Sequence, residues 1–600
     1  MDHSAFPTWP DVAADLIAVA AGRAKADCVI RDGIWVNVHT REALPGFDIA
    51  IRHGRIACVV PDATTAIGPE TDVIEAAGRY MLPGFCDGHM HIESGMLTPA
   101  EFAAAVIPHG TTSMFTDPHE IANVLGPKGV RMMHDEALMQ PVNIWTQMPS
   151  CAPSAPGLET TGHEISPEDV AEAMSWPGII GLGEMMNFPG VAQADPKMLA
   201  EIAAAQRAGK TVGGHYAAPD LGSNFAAYVA GGPADDHEGT READAIARMR
   251  QGMRAMIRFG SAWYDVAAQI TAITEKGLDP RNMILCTDDC FAKTLVEEGH
   301  MNRALRHAIA CGCDPLVAVQ MATLNTASHF GLEREIGSLT PGRRADVILS
   351  TDLTSLPIEH VIARGQTVAK EGKLLVDCPH YPWPDTARQT VNMARDLSTT
   401  DFQIPAPEGA RRVTANVIGV VENQAPTQAL REELPVTDGC VQPEGAVCQI
   451  ALVERHAATG GVVNGFVSGF GYQGRMALAS TVAHDSHHMI VVGTDPAQMA
   501  LAANQLRACG GGVSLWQDGQ ERARVPLPIA GLMSDRPAAE VAGQVDQLVA
   551  AMQTCGCQMN NAFMQHALLA LVVIPELRLS DLGLVDVRQF KIIPVCEPLS

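Results

Sequence analysis

Short apolar segments alternate with longer amphipathic stretches between Tyr80 and about Ser328. Eight segments have the length and composition of strands: MLPGFCDGHMH, TTSMFTDPHE, VNIWTQMPS, IIGLGEMMN, TVGGHYA, a weak segment before ADDHE, RAMIRFGSA and NMILCTDD. Eight strands with helical stretches between them predict a (β/α)8 barrel. The sixth strand has the weakest pattern because it lies in the glycine-rich stretch YVAGGPADD.

The segments on both sides of the barrel are rich in strand patterns. A short helix is predicted from Asp11 to Gly22, and ADCVIRDGIWVNVHT and GFDIAIRHGRIACVV follow it, with hairpin turns at Asp32-Gly33 and His53-Gly54. After the barrel, GSLTPGRRADVILSTD and HVIARGQTVAKEGKLL again resemble strands and turns. We expect these flanks to complete one small β-sandwich domain. CPHYPWPDTARQ is typical of a linker, and a further α/β segment follows it.

These patterns divide the chain into five segments. They are an N-terminal helical segment (1–24), the first part of the small β-domain (25–79), the barrel (80–335), the second part of the β-domain (336–385) and a C-terminal α/β domain (400–600). The predicted fold class is therefore α/β, with a barrel at its centre.

Composition and charge exclude several classes of protein. The hydrophobic fraction of the 600 residues is 47%, so the chain has enough apolar residues for packed cores. The formal net charge of −26 argues against a nucleic-acid binder. The longest apolar run, ALLALVVI, is far shorter than the roughly 20 residues of a membrane-spanning helix. The acidic N-terminus has no export pattern, so we expect a cytoplasmic protein with reduced cysteines and no membrane partner.

The strongest chemical signal is the pair His89 and His91 at the end of the first barrel strand. Side chains at positions i and i+2 of a strand point to the same side, so both imidazoles can reach one metal ion. Other polar residues follow later strands: Glu184, His215, His237 and Asp288. Each alone has a structural explanation, such as a helix cap or a hydrogen-bonded core histidine. Together, at one barrel mouth, four histidines and two carboxylates suit a divalent metal.

Several strings resemble a known family. PGFCDGHMH, ATLNTASHFGL and GSLTPGRRADVIL are similar to the amidohydrolase superfamily over roughly residues 25 to 380. Within it, DGHMHIESGM, TDPHEIANVLG, GLGEMMNFPGV and DDHEGT resemble the bacterial adenine deaminases of the two-metal type. FGYQGRMALASTVAHDSHHMIVVGTD resembles that family's additional C-terminal domain, so the resemblance covers nearly the whole chain.

The resemblance implies a role for each candidate ligand. His89 and His91 would hold the first metal, and His215 and His237 the second. Glu184 would bridge the two metals, where many relatives use a carbamylated lysine. That glutamate argues against dihydroorotase-like and hydantoinase-like relatives. Asp288 would bind the first metal and carry the reactive proton.

The resemblance also implies the reaction. A hydroxide activated by two metals would attack C6 of adenine, and Asp288 would pass its proton to the leaving amino group, giving hypoxanthine and ammonia in purine salvage or catabolism. Glu120 is our candidate for a second proton donor, although a carboxylate at a helix start explains it equally well. His119 either contacts the base or orients a loop.

The run His484-Asp485-Ser486-His487-His488 has several interpretations. It could close the site, bind an additional metal or contact substrate, or it could be a polar entry to the strand MIVVG. We take His119, His487 and His488 as candidate substrate contacts.

Two alternative functions remain at this point. The first is a two-metal deaminase or hydrolase for another purine, a pterin or a cyclic amidine. The second is a binding or assembly scaffold, which would be expected to lose metal ligands. The ligand set itself accepts several divalent metals. The resemblance implies two divalent ions per chain as cofactors, with manganese ahead of iron or zinc. The expected substrate is adenine, and the expected assembly is a homo-oligomer, a dimer or a tetramer.

Overall fold

The computed structural model describes residues 6–261, 263–422, 424–559 and 562–599. Its strands, numbered in chain order, are β1 Cys28–Asn37, β2 Glu42–Arg52, β3 Arg55–Val60, β4 Asp72–Glu75, β5 Tyr80–Pro83, β6 Phe85–His91, β7 Thr111–Thr116, β8 Asn143–Met148, β9 Ile179–Met185, β10 Thr211–Gly214, β11 Asp235–Asp236, β12 Arg254–Arg258, β13 Met283–Cys286, β14 Asp288–Asp289, β15 Val347–Ser350, β16 Ile358–Ala363, β17 Gln366–Lys370, β18 Lys373–Leu374, β19 Arg412–Gly419, β20 Gln428–Thr437, β21 Cys440–Val441, β22 Val447–Val453, β23 Val462–Ser468, β24 Met476–Ser480, β25 Met489–Gly493, β26 Gly512–Gln517, β27 Gln520–Pro526, β28 Leu577–Ser580, β29 Gly583–Asp586, β30 Lys591–Ile593 and β31 Cys596–Pro598.

The α-helices are α1 Trp9–Ala20, α2 Pro99–Val106, α3 His119–Met139, α4 Pro167–Ala173, α5 Phe188–Ala192, α6 Pro196–Arg207, α7 Ser223–Gly231, α8 Glu242–Arg250, α9 Val266–Gln269, α10 Thr271–Thr274, α11 Ala292–Glu297, α12 Met301–Ala310, α13 Pro315–Met321, α14 Leu324–His329, α15 Asp385–Arg388, α16 Pro496–Ala508, α17 Ala538–Thr554 and α18 Ala562–Ala567. Within the described residues, every helix is too short or too polar to cross a lipid bilayer.

The central residues form the predicted barrel. Strands β6 to β10 are parallel neighbours in chain order, and β11, β12 and β13 form a second parallel set. The backbone N–H of Ala234 donates to the carbonyl of Val212, 2.8 Å away, which connects the two sets. The ring closes where β14 pairs with β6, placing Asp288 opposite Met90. Eight parallel strands, β6 to β13, thus surround one axis, and their C-terminal ends meet at one mouth.

Two barrel strands differ in extent from the sequence pattern. The first predicted strand, from Met81 to His91, is two strands separated by Gly84. Its first half, β5, pairs with β15 and β1 of the flanking sheet, whereas its second half, β6, pairs with β7 in the barrel. The sixth strand, β11, is only two residues long and pairs with β12.

The flanks of the barrel share one nine-stranded sheet. Its order is β18-β17-β16-β15-β5-β1-β2-β3, and β4 pairs with β1. Helix α1 packs Val12, Leu16 and Val19 into the same small core. The helix begins before the predicted Asp11 because the backbone N–H of Thr8 donates to Asp11, 3.0 Å away, as part of a capping box.

The C-terminal segment is a separate α/β layer. Nine strands form the sheet β21-β20-β19-β23-β22-β25-β24-β26-β27, and β31 pairs with β19. Helix α16 lies against β24, β25 and β26. One continuous apolar core extends from barrel residues such as Ile92 and Phe102 to C-terminal residues such as Val482 and Leu568. This domain therefore packs directly on the mouth of the barrel.

Candidate metal centre and active site

The six candidate ligands all lie at C-terminal strand ends and are almost fully buried. His89 and His91 lie at the end of β6, Glu184 lies near the end of β9, and Asp288 lies two residues after the end of β13. His215 follows β10 directly, and His237 follows β11 directly. The structure therefore brings the predicted ligand set together from five different strand ends.

Glu184 lies at the centre of the cluster. Its Oε1 is 2.8 Å from His119 Nδ1 and 3.5 Å from His91 Nε2. Its Oε2 is 2.6 Å from His215 Nδ1 and 3.1 Å from His237 Nε2. Burial alone would raise the pKa of this carboxyl, but the charges of His215 and His119 and their hydrogen bonds hold it well below its usual range. Glu184 is therefore an anion in contact with four imidazoles.

A second group forms around Asp288. Its Oδ1 is 3.2 Å from His91 Nε2 and 3.8 Å from His89 Nε2, and the two imidazole nitrogens are 3.2 Å apart. The ring of His89 also stacks on the ring of His237, with centroids 4.0 Å apart. The group around Glu184 and the group around Asp288 are therefore in contact through His89 and His91.

The donor atoms fit divalent cations. His89, His91 and Asp288 place three ligand atoms within 4.8 Å of one another, and so do His89, Glu184 and His237. His91 uses Nδ1 to donate to the carbonyl of Asp117, 2.8 Å away, which turns Nε2 toward Glu184 and Asp288. Imidazole and carboxylate donors together suit first-row divalent metals.

Asp117 supports the ligands from behind. Its carboxylate accepts the backbone N–H of Glu184 at 2.7 Å, so it fixes the backbone of the central glutamate. Burial raises the pKa of Asp117 to about 6, and the charge of Glu184 also raises it. A Cβ at Gly183 would lie 2.2 Å from an Asp117 oxygen, which explains the glycine before Glu184.

Arg258, at the end of β12, holds the other oxygen of Asp288. Its Nη1 donates to Asp288 Oδ2 at 2.9 Å, its Nε donates to Asp265 at 2.8 Å, and Nη1 also donates to Glu238. Burial would raise the pKa of Asp288, but the hydrogen bond from His91 and the charges of His237 and Arg258 hold it below its usual range. Asp288 therefore turns Oδ1 toward the histidines and Oδ2 toward Arg258.

Glu120 lies at the start of α3, beside the ligand cluster, and is 1% exposed. Its Oε1 is 3.0 Å from the hydroxyl of Ser94, which also donates to Asp289. Trp263 Nε1 donates to the second oxygen of Asp289 at 2.8 Å. Burial, together with the charge of Glu120, raises the pKa of the neighbouring Glu93 to about 8. Glu120 thus belongs to a buried network of carboxyl groups.

The C-terminal domain adds side chains to the same region. Asp485 Oδ1 is 3.5 Å from His119 Nε2, and His484 Nδ1 is 3.8 Å from Glu120 Oε1. His487 Nε2 is 3.8 Å from Glu120 Oε2. Barrel and C-terminal domain therefore meet at Glu120 and His119.

A cavity of about 520 Å³ opens over the ligand cluster. His119, Glu120, His484 and Asp485 line it, whereas His487 and His488 are not among the described lining residues. His488 Nε2 instead bonds to the carbonyl of Thr160, 2.9 Å away. His487 Nε2 lies 3.8 Å from Glu120 Oε2, so of the three candidate substrate contacts only His119 is among the described lining residues. Within the run 484–488, the residues that line the cavity are His484 and Asp485.

Comparisons with known proteins agree with this arrangement. The amidohydrolase family model matches residues 80–248 and 264–368, and the model of the adenine deaminase C-terminal domain matches residues 424–591. The chain is 76% identical over 600 residues to an adenine deaminase of Ruegeria sp. (strain TM1040), with 100% of both chains covered. It is 77% identical over 597 residues to that of Roseobacter denitrificans, with the same coverage. This chain belongs to the adenine deaminase family.

Membership in the adenine deaminase family confirms the resemblance drawn from the motifs and the amidohydrolase barrel predicted for the central residues. The amidohydrolase family is metal-dependent, which agrees with the ligand groups in the structure. Among solved structures, a β-aspartyl dipeptidase from Fervidobacterium islandicum AW-1 aligns at 16% identity with a TM-score of 0.45, covering 58% of this chain and 97% of that chain.

Sequence reasoning missed several polar residues of this adenine deaminase family site. Asp117, Glu238 and Asp289 each lie within two positions of a residue that was found. Arg258 ends β12, which, like β8, supplied no candidate. The strand-end rule that located the ligands would have located Arg258 as well.

Proposed function

We propose that this protein hydrolyses adenine to hypoxanthine and ammonia. The observation that carries the proposal is the full-length identity of 76% to a protein named adenine deaminase, in a chain where four histidines and two carboxylates form one buried cluster and five of these six residues line one cavity. The test is ammonia release by the purified protein from adenine, guanine, adenosine and cytosine. Release from adenine alone, or far above the others, is expected. Activity on another base without activity on adenine would overturn the proposal.

The six ligand residues divide between two cations in this proposal. His89, His91 and Asp288 would hold one cation, and His215 and His237 the other, with Glu184 between them. When bound, the cations would supply the Lewis acidity that brings the pKa of water close to neutrality. We propose manganese as the native metal, with iron or zinc as alternative occupants, because imidazole and carboxylate donors accept all three.

Asp288 is proposed as the proton carrier. Oδ2 is held by Arg258 at 2.9 Å, so Oδ1 is the atom that takes a proton from water and delivers it to the departing amino group. Oδ1 also faces His91 and His89, so this oxygen lies beside the histidines that would hold the cation. Arg258 keeps the carboxylate in this orientation during the transfer.

Glu120 is proposed to protonate a ring nitrogen of the base, and His119, held between Glu184 and Asp485, to contact or orient the base beside it. We expect Glu120→Gln to lower turnover by about 10²- to 10⁴-fold, the usual contribution of general acid catalysis, with metal content unchanged. Steady-state ammonia release and elemental analysis test this. Glu93→Gln is the matched control, because Glu93 is equally buried and is not among the described cavity-lining residues. Near wild-type turnover of Glu120→Gln would remove the role.

Metal removal gives a further expected result. Dialysis against a chelator should remove two equivalents of metal per chain and lower turnover by more than about 100-fold, because the activated water is lost. Addition of Mn²⁺ should restore activity, with a break in the titration at two equivalents. Full activity of a preparation that contains almost no metal would contradict the metal assignment.

We also propose that the protein is a homo-oligomer, either a dimer or a tetramer. Phe590, directly before β30, is 45% exposed, and Ile592, within β30, is 47% exposed. Clustered apolar side chains at the surface are typical of subunit interfaces. The charge balance gives no support to a nucleic-acid partner.

A further inference from the structure

One side of the cavity is a largely apolar surface supplied by the C-terminal domain. It is made by two chain segments, residues 424–426 and 568–575. We call the lining residues of these segments the C-terminal wall: Gln424, Ala425, Pro426, Leu568, Leu571, Ile574 and Pro575. Five of the six proposed metal ligands line the same cavity, so a molecule in it would lie between charged barrel residues and this wall.

Arg578 lies behind the C-terminal wall and is 1% exposed. Its Nε donates to the carbonyl of Ile574 at 2.8 Å, and its Nη1 donates to the carbonyl of Leu568 at 3.0 Å. Its Nη2 donates to the carbonyls of Ala425 and, at 3.5 Å, Pro575. All four acceptors belong to residues of the wall, and they come from both of its segments. A single guanidinium therefore joins the two halves of this surface.

The hydrogen bonds of this arginine all go to backbone carbonyls, and it has no carboxylate partner among the described residues. Burial lowers the pKa of Arg578 to about 9, which reflects the free-energy cost of holding a cation away from water. An apolar side chain of similar volume would avoid that cost. A guanidinium can instead fix the positions of several carbonyls at once, because its N–H groups form a planar fork.

We propose that Arg578 is a positioning residue for the substrate: it holds the C-terminal wall against the flat face of the base. The inference rests on the proposed function. A purine ring has apolar faces and polar edges, so the side chains of Leu568, Leu571 and Ile574 can pack on a face while the edge meets the barrel residues. Fixing the wall in this way keeps in place the apolar surface on which the ring packs, and so favours binding of the base.

The wall has a second attachment, so the loss of Arg578 should loosen it without unfolding the domain. The backbone N–H of Thr427 donates to the carbonyl of Pro575 at 3.0 Å, and its hydroxyl donates to the carbonyl of Leu577 at 2.9 Å. Contacts with the ring face are made equally before and during the reaction. Their loss should therefore raise KM and leave kcat nearly unchanged.

The test compares Arg578→Met and Arg578→Lys with a matched variant, Arg55→Met. Arg55 is also 1% exposed and donates to the carbonyls of Pro7 and Gly342, but it lies in the small β-domain and also pairs with Glu335 at 2.7 Å. We expect KM for adenine to rise about tenfold in Arg578→Met and less in Arg578→Lys, with kcat within about threefold of wild type and metal content unchanged. Arg55→Met should lower the melting temperature and leave KM unchanged.

The inference is overturned if KM of Arg578→Met stays within about twofold of wild type, or if Arg55→Met raises KM equally. If Arg578→Met yields no folded protein, Arg578→Lys and Ile574→Ala decide, because Ile574→Ala removes part of the wall directly. An unchanged KM in both Arg578→Lys and Ile574→Ala would also overturn the inference. A wild-type protein without activity on adenine would refute the proposed function, whereas an active wild type with unaffected variants would refute only the role of Arg578.

Discussion

Glu184→Gln should lose most of its bound metal and lower turnover by at least about 10³-fold, which corresponds to about 4 kcal/mol of transition-state stabilisation. Both carboxylate oxygens contact imidazoles, at 2.6 Å to His215 and 2.8 Å to His119. Glutamine has the same shape, but it removes the negative charge and replaces one acceptor by an N–H donor. Elemental analysis and ammonia release from adenine measure the two effects.

Glu201→Gln is the matched control for this variant. Glu201 lies in α6 of the barrel and is fully buried, and its two side-chain oxygens have no hydrogen-bond partner among the residues that the structure describes. Burial raises its pKa to about 8, so it is protonated at neutral pH and an amide is a close substitute. We expect this variant to keep both metal and activity. Two equivalents of metal and wild-type turnover in Glu184→Gln would contradict the central role of Glu184.

The barrel was predictable because its strands are short apolar segments at regular intervals, each followed by polar residues. The limits of that prediction appear at Gly84. A two-residue alternation shows that a segment is extended, but it does not show which sheet each half joins. Residues on either side of Gly84 pair with different sheets, β15 on one side and β7 on the other. A Cβ at Gly84 would lie 2.0 Å from Thr112 Oγ1, so close packing requires glycine there.

The metal ligands were predictable for the same geometrical reason. Each one ends or follows a parallel strand, and parallel strand ends of a barrel meet at one mouth. The weak sixth strand illustrates how little chain is needed, because only Asp235 and Asp236 pair with β12 before His237 enters the site. The local sequence determines which residue type follows each strand, and closure of the barrel brings these residues close to one another.

The contribution of the C-terminal domain was not predictable from local pattern. Glu120 and His487 approach within 3.8 Å although they are 367 positions apart, and no periodicity records that contact. Which members of the run 484–488 face the cavity depends on a tight turn, in which His487 has a φ of 52°. Strand alternation does not apply in such a turn, so sequence spacing could not separate His484 and Asp485 from His487 and His488.

Asp288→Asn should lower turnover by at least about 10³-fold, because it removes the proposed proton acceptor. Arg258 donates to Oδ2, so the amide oxygen would turn toward Arg258 and the NH₂ group toward His91. That orientation places a donor where a cation or a transferred proton should be held. Asp265→Asn is the control, because Asp265 also accepts from Arg258, at 2.8 Å, without contacting the described histidines. We expect it to lower turnover by less than about tenfold. If turnover of Asp288→Asn also fell by less than about tenfold, the loss of a hydrogen-bond partner for Arg258 would explain both variants. The proton acceptor would then have to be another residue.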